Sequence, residues 1–224
     1  VTRRGLVVAL DGPSGAGKSS AGRALAARLG YVYIDTGAMY RALALKAMRS
    51  GAALDSENDL LPLAQRVRIE LSESQVRLDG EDVTSAIRSQ EVSAAASRVS
   101  VHPLVRREMV ARQREMGEPG GVVLDGRDIA TAVFPDAEVK IYVDADPAVR
   151  ARRRHAELRA AGQDADLAAV ERDVRERDWN DSHRADSPLT RAPEAVLLDT
   201  TGLGLDEVVR RMLEVVERAL ESRR

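Results

Sequence analysis

The sequence predicts an α/β fold: a parallel β-sheet core flanked by helices. Three observations carry that expectation. Short apolar runs alternate with segments of helical character along most of the 224 residues, a glycine-rich turn joins the first apolar run to the first helix, and two stretches, about residues 40–102 and 147–182, interrupt the alternation as insertions would.

Leu6 to Leu10 reads as the first strand, and the helix Lys18 to Leu29 is stopped by Gly30. Tyr31 to Ile34 is a short second strand, followed by a helix from Ala38 to Met48. Gly121 to Leu124, Val139 to Val143 and Ala195 to Leu198 are short, nearly continuous apolar runs, the pattern of strands covered on both faces. The final helix puts Leu205, Val208, Val209, Met212, Val216 and Leu220 on one core-facing stripe. In the first insertion, Val67 to Leu71 and Gln75 to Leu78 alternate in polarity around Ser72-Glu73-Ser74 and read as a hairpin within a small substrate-holding subdomain. The second insertion reads as two charge-dense helices broken near Gly162, with Arg150, Arg152, Arg153, Arg154 and Arg159 crowded at its start, which suits a mobile lid. The expected single domain therefore has a core of about residues 1–39, 103–146 and 183–224.

Composition excludes several function classes. There is no cysteine, so disulfides, thiolate metal sites and cysteine nucleophiles are ruled out. The net charge is −2 although 31% of residues are charged, so no general nucleic-acid-binding surface is indicated. No apolar run approaches the length of a membrane span and the N-terminal residues lack a signal-like apolar stretch; the expectation is a soluble, cytoplasmic protein with no membrane partner.

The turn after the first strand, Gly12-Pro13-Ser14-Gly15-Ala16-Gly17-Lys18-Ser19-Ser20, has two glycines with the spacing of a phosphate-binding P-loop, followed by Lys and Ser. Its glycines let consecutive backbone N–H groups curl around phosphate oxygens at a helix N-terminus. Lys18 would reach the outer phosphates, and Ser19 has its hydroxyl where such a loop holds Mg²⁺. The expected fold is therefore of the P-loop NTPase type. No Asn-Lys-x-Asp guanine-reading motif is present, which argues against a GTPase.

Asp35-Thr36-Gly37-Ala38-Met39-Tyr40-Arg41 lies where the second strand gives way to a helix, which puts Arg41 close to the carboxyl edge of the sheet, where ligands of open α/β sheets bind. Asp125-Gly126-Arg127-Asp128 follows the apolar strand 121–124 and brings charge to the same edge. Arg177, Asp181 and Arg184 share one face of a continuous helix, and so do Arg150, Arg153 and Arg154, three arginines read as lacking matching acids.

Together with Gly80-Glu81-Asp82-Val83, Val133-Phe134-Pro135-Asp136-Ala137 and the run from Glu176 to Arg184, these motifs closely resemble the bacterial cytidylate kinases over nearly the whole chain. Adenylate kinases and the eukaryotic uridylate-cytidylate kinases usually carry Asp-Gly-Phe-Pro-Arg where this chain has Asp125-Gly126-Arg127-Asp128. The resemblance implies transfer of the terminal phosphoryl group of ATP, with Mg²⁺, to CMP or dCMP. It makes the first insertion the acceptor-binding part and the second the lid, and a monomer is expected. It assigns the P-loop residues to ATP, and Arg41, Arg127 and Arg184 to the acceptor phosphate. Arg177 and Asp181 fall near its ribose, Ser97, Arg106 and Asp128 read its base, and Thr36 and Tyr40 belong to the same substrate set. A carboxylate suits the cytosine amino group, whereas uracil would present its O4 to Asp128, acceptor against acceptor.

The acceptor phosphate is already anionic, so no general base is needed, and positioning with charge neutralisation must carry the catalysis. Lys18, Arg127, Arg150, Arg153 and Arg154 are the expected catalytic cations; His102, His155 and His183 are expected at the surface without a catalytic role, and Asp125 is a candidate to orient the hydration shell of the metal. Two other readings use the same features: a kinase for another small acceptor such as UMP or shikimate, and a regulator that binds ATP without turnover.

Overall fold

The computed structural model describes residues 5–72 and 74–223. In chain order the elements are β1 (Val7–Asp11), α1 (Lys18–Leu29), β2 (Val32–Asp35), α2 (Thr36–Ser50), α3 (Glu57–Arg66), β3 (Ile69–Leu71), β4 (Val76–Leu78), β5 (Glu81–Asp82), α4 (Gln90–Val99), α5 (Pro103–Gly117), β6 (Val122–Asp125), β7 (Val139–Asp144), α6 (Pro147–Ala160), α7 (Leu167–His183), β8 (Val196–Asp199) and α8 (Leu205–Glu221). A 3-10 turn, Ala86–Arg88, precedes α4, and a π-helical turn, Ile129–Val133, follows β6.

Five strands form one sheet in the order β2-β6-β1-β7-β8, with every neighbouring pair parallel. Each of the five ends one residue later than its apolar run suggests, and each last residue is an aspartate: Asp11, Asp35, Asp125, Asp144 and Asp199. The pairings Leu10 with Asp125, Asp35 with Asp125, Asp11 with Tyr142 and Asp144 with Asp199 explain the extra residue, because ladder bonds come from the backbone and do not stop where side chains become polar. Parallel strands all point one way, so the five carboxylates stand along a single rim.

The sheet is covered on both faces. Leu6, Val8 and Leu10 face Leu25 of α1 and Val209 and Met212 of α8, while Val7, Ala9, Ile34 and Leu124 face Ile129 and Val133 of the π turn. Each such buried aliphatic side chain contributes about 1.5–3 kcal/mol. The strand expected at 195–198 is not fully buried. As β8 it is an outer strand with Val196 and Leu197 exposed, and Leu205 and Leu220, at the ends of the α8 stripe, are exposed too.

A third cluster joins α2, α3, the 3-10 turn, α4 and α5 through Leu43, Leu60, Ile87, Val99, Val105 and Met109. The hydrophobic unit built on the first insertion thus continues past residue 102 into α5. The expected hairpin is two strands of a three-stranded antiparallel sheet. Its second turn is Asp79-Gly80, with φ of 51° and 90°, the positive pair a two-residue hairpin turn requires. Glu73, expected between the first two strands of this sheet, lies outside the described residues, as do residues 1–4 and 224 of the expected core. Leu158 of α6 packs against Val170 and Val174 of α7. Gln90 of α4 donates a hydrogen bond to Asp173 of α7, so the two insertions touch across the rim. Among the described residues no helix is long and apolar enough to cross a membrane.

Candidate active site

The loop between β1 and α1 is shaped by glycines that cannot be replaced. A Cβ on Gly12, at φ +144°, would lie 1.9 Å from the carbonyl oxygen of Val143, and one on Gly15, at φ +76°, 2.7 Å from that of Arg150. Gly17 caps α1 without any side-chain cap bond, which leaves the helix's first N–H groups open to a ligand. Lys18 Nζ donates to the carbonyls of Gly12 and Pro13, both at 2.7 Å. Burial, reinforced by Arg127, holds its pKa down to about 7. Ser19 Oγ donates to Asp125 Oδ2 at 2.5 Å, and the Tyr33 hydroxyl donates to the same oxygen at 2.9 Å.

Opposite this loop the charged groups interlock. Arg127 Nε donates to Asp181 Oδ2 at 2.9 Å. Burial raises the Asp181 carboxyl, but Arg127, Arg177 and Arg184 outweigh it and hold the group below the usual carboxylate range. Arg106, fully buried, donates to Asp128, and Arg184 Nη2 stands 3.5 Å from the other Asp128 oxygen. The Tyr40 ring lies 5.9 Å from the Arg106 guanidinium, and burial pushes its hydroxyl up to about 12. Four buried polar atoms here have no hydrogen-bond partner: Tyr40 OH, Ser97 Oγ, Arg106 Nε and Arg184 Nη2. Arg177 makes no hydrogen bond or ion pair among the described residues, and burial beside Arg127 lowers its pKa to about 10. Groups left in this state at one end of a cleft are complementary to an anionic, hydrogen-bonding ligand.

The cleft between loop and cluster has a volume of about 540 Å³. It brings together Ser14, Gly15, Ala16, Gly17, Lys18, Ser19 and Ser20 with Thr36, Tyr40, Arg41, Ser97, Arg106, Arg127, Asp128, Arg154, Arg177, Asp181 and Arg184. Gly12, Pro13, Arg150 and Arg153 do not line it. Arg150 lies behind the loop, where its guanidinium donates to the carbonyls of Ser14 and Ala145 and to Asp178. Arg153 donates to the hydroxyl and carbonyl of Thr200, and the same hydroxyl donates to the Ala16 carbonyl. The reading of three unmatched arginines on one face is therefore corrected: Arg150 is matched by Asp178 and Arg154 by Glu157. A second correction concerns Arg184. It follows the end of α7 with an extended backbone, and it reaches Asp181 at 3.9 Å from there and not as part of a continuous helical face.

Sequence reasoning quoted Asp35 within its motif without giving it a role and passed over Arg23 and Arg88; all three also line the cleft. Asp35 caps α2 through the Ala38 N–H and pairs with Arg41 at 3.1 Å and Arg23 at 3.6 Å. The signal for Asp35 was the N-cap position itself, at the start of a helix; the next residue, Thr36, donates to the Asp125 carbonyl at 2.7 Å. His102, His155 and His183 each bond a backbone carbonyl and none lines the cleft.

A parallel sheet with a P-loop after its first strand, and a cation-rich cleft over its carboxyl rim, defines a nucleotide-binding protein of the P-loop kinase type. The family model described as cytidylate kinase matches residues 8–218, and the chain belongs to that family. It is 49% identical over 221 residues to the cytidylate kinase of Solibacter usitatus, covering 98% of this chain and 95% of that one. It is 51% identical over 217 residues to that of Syntrophotalea carbinolica, covering 95% and 92%. Among solved structures, an uncharacterized protein from Eubacterium ventriosum superposes with a TM-score of 0.50 at 9% identity, covering 95% of this chain and 98% of that one, a likeness of fold alone.

Proposed function

We propose that this chain transfers the γ-phosphoryl group of ATP to CMP or dCMP, giving ADP and the corresponding diphosphate. The observation that carries the choice of acceptor is the set of buried atoms without a hydrogen bond on Tyr40, Ser97, Arg106 and Arg184 around the Asp128 carboxylate. Cytosine offers an amino donor to a carboxylate and ring acceptors to Ser and Arg donors, so it answers both kinds of group at once.

Transfer proceeds in line. An anionic oxygen of the acceptor phosphate forms a bond to the γ-phosphorus as the bond to the β–γ bridging oxygen breaks, and ADP leaves with that electron pair. No proton need be removed, so the residues position and neutralise. Arg41, Arg127 and Arg184 hold the acceptor phosphate; Arg177 and Asp181 orient the ribose; Lys18 and Arg154 meet charge developing on the transferred group. Ser19 and Asp125 place a hydroxyl and a carboxylate oxygen 2.5 Å apart beside the loop, hard oxygen donors that suit Mg²⁺, which keeps several waters and needs no protein cage. When bound there, Mg²⁺ would neutralise phosphate charge and orient the polyphosphate. Residues 40–102 act in this reading as the acceptor-binding insertion and 147–182 as a lid that excludes water on closure. We further propose a cytoplasmic monomer that engages small nucleotides and no nucleic acid.

Calorimetric titration of CMP, UMP and phosphate into the protein without ATP tests the acceptor assignment. CMP should bind at least about tenfold tighter than UMP, given roughly 1–3 kcal/mol for a mismatched buried polar group. Equal affinities for CMP, UMP and free phosphate would reduce the pocket to a phosphate grip and remove the base-reading argument.

A further inference from the structure

The turn that carries Arg127 and Asp128 is short, and the backbone just after it is fastened by a carboxylate from another strand. Asp11, the last residue of β1, is buried at 3% exposure and does not line the cleft. Its carboxylate reaches the π turn that follows β6, where Oδ1 accepts the Ile129 N–H at 2.8 Å and Oδ2 accepts the Ala130 N–H at 2.7 Å. These are the first N–H groups of the π turn, which has no side-chain cap of its own at Asp128. The other ties to the segment's backbone are the Gly126 N–H to the Leu10 carbonyl at 2.9 Å, the Thr36 hydroxyl to the Asp125 carbonyl at 2.7 Å and the Arg127 guanidinium to the Gly126 carbonyl at 3.0 Å, while the side chains of Arg127 and Asp128 are ion-paired, to Asp181 and to Arg106 and Arg184. Of the bonds made by the segment's backbone N–H groups, those to Asp11 are the charge-assisted ones, and they hold the two residues that directly follow Asp128.

We infer that Asp11 is a positioning residue for acceptor recognition: by clamping the N–H groups of Ile129 and Ala130 with both carboxylate oxygens, it fixes where Arg127 and Asp128 point. The inference rests on the proposed reading of Asp128 as the group that selects cytosine. The geometry asks for two acceptors at one residue, which among side chains only a carboxylate of this length supplies. Burial pushes the Asp11 carboxyl up to about 6, with the Asp128 charge adding to the effect, so the ionised group is held at a cost that the two N–H bonds only partly offset. A purely structural position could relieve that cost with asparagine. Asparagine, however, accepts only through its carbonyl oxygen and would turn an NH₂ toward the second N–H, donor against donor. The turn would then lose one of its two backbone bonds to Asp11 next to the base-reading carboxylate, while the phosphate-binding loop, tied through the Gly12 and Pro13 carbonyls to Lys18, keeps its contacts.

The test is Asp11→Asn, with kcat/KM measured for CMP and UMP, KM for ATP, and the melting temperature. The CMP-to-UMP ratio should fall about tenfold or more, with KM for ATP within about twofold, because one of the two carboxylate bonds to the backbone beside the reader is lost. A folded variant that keeps the wild-type ratio overturns the inference. Hydrogen exchange on the wild type supplies an arm that needs neither variant nor substrate. The Ile129 and Ala130 amides should be protected as strongly as the Val8 amide in the sheet centre, and exchange as fast as at the exposed Gly202 turn overturns the clamp. Failure of the wild type to prefer CMP over UMP would count against the proposed acceptor, and the exchange result would still decide whether the clamp exists.

Discussion

Asp128→Asn separates the two jobs that the structure gives one carboxylate. Asp128 is 5% exposed and faces two guanidinium groups, Arg106 in a direct hydrogen bond and Arg184 at 3.5 Å, both nearly excluded from solvent. Removing one partner of a buried ion pair costs about 3–5 kcal/mol, and asparagine keeps an oxygen that Arg106 can still use, which places the loss toward the lower end. For a chain of this size about 3 kcal/mol corresponds to a melting temperature lower by roughly 6–12 °C. Selectivity moves separately. The amide can turn its NH₂ toward uracil O4 while cytosine loses a charge-assisted bond, so the preference for CMP over UMP should fall by about one to two orders of magnitude, equivalent to roughly 1–3 kcal/mol. The assay is kcat/KM for both acceptors well below the melting temperature of the variant, since a shared loss of active protein cancels in the ratio. An unchanged ratio with both values depressed would assign Asp128 to the arginine network alone and leave base reading to Arg106 and Ser97.

Other perturbations probe the remaining parts. Ser97→Ala removes a hydroxyl that is buried without a partner, so stability should hold or rise by up to about 1 kcal/mol while CMP affinity drops about tenfold; melting and titration on one preparation read both. Lys18→Ala should fold and lose at least about a hundredfold in turnover, as expected for one transition-state charge contact, and normal turnover would remove Lys18 from the mechanism. In the free protein the Lys18 pKa is lowered to about 7, and a neighbouring polyphosphate favours the charged form, so ATP binding should take up a proton above pH 7 and its affinity should fall as pH rises toward the ordinary lysine value. Titration heats in buffers of different ionisation enthalpy at pH 8.5 measure that uptake directly. Arg153→Ala should raise KM for ATP severalfold and leave CMP binding within about twofold, because Arg153 supports the loop through Thr200 and Ala16 instead of facing the acceptor.

The parts of the molecule legible in the sequence are those set by local chemistry. The helix Lys18–Leu29 and its Gly30 stop follow from periodicity and a left-handed cap, and α6 and α7 from their charge pattern around Gly162. The strands were displaced at their carboxyl ends because hydrophobicity stops at Leu10, Leu124 and Leu198 while backbone pairing runs one residue further, onto aspartates. The β4–β5 turn carried the Asp79-Gly80 signal of a tight hairpin, and that pair was not used. Helix α5 was passed over because its buried side mixes Val105 and Met109 with Arg106 and Gln113, which dilutes the apolar stripe. The candidate site was legible as a set of residues and not as a set of pairings. That Arg150 meets Asp178, 28 residues away, depends on how α6 packs against α7, and that Asp11 meets Ile129 depends on β1 lying beside β6, neither of which any spacing along the chain encodes.

The central claim is that the cleft selects a cytidine monophosphate as phosphoryl acceptor, and coupled ADP release from ATP over CMP, dCMP, UMP, AMP and GMP tests it most directly. The account predicts ADP release that depends on CMP or dCMP, with UMP slower by about an order of magnitude or more and the purine nucleotides inactive. ADP release that is independent of any acceptor, or fastest with UMP, AMP or GMP, would contradict it.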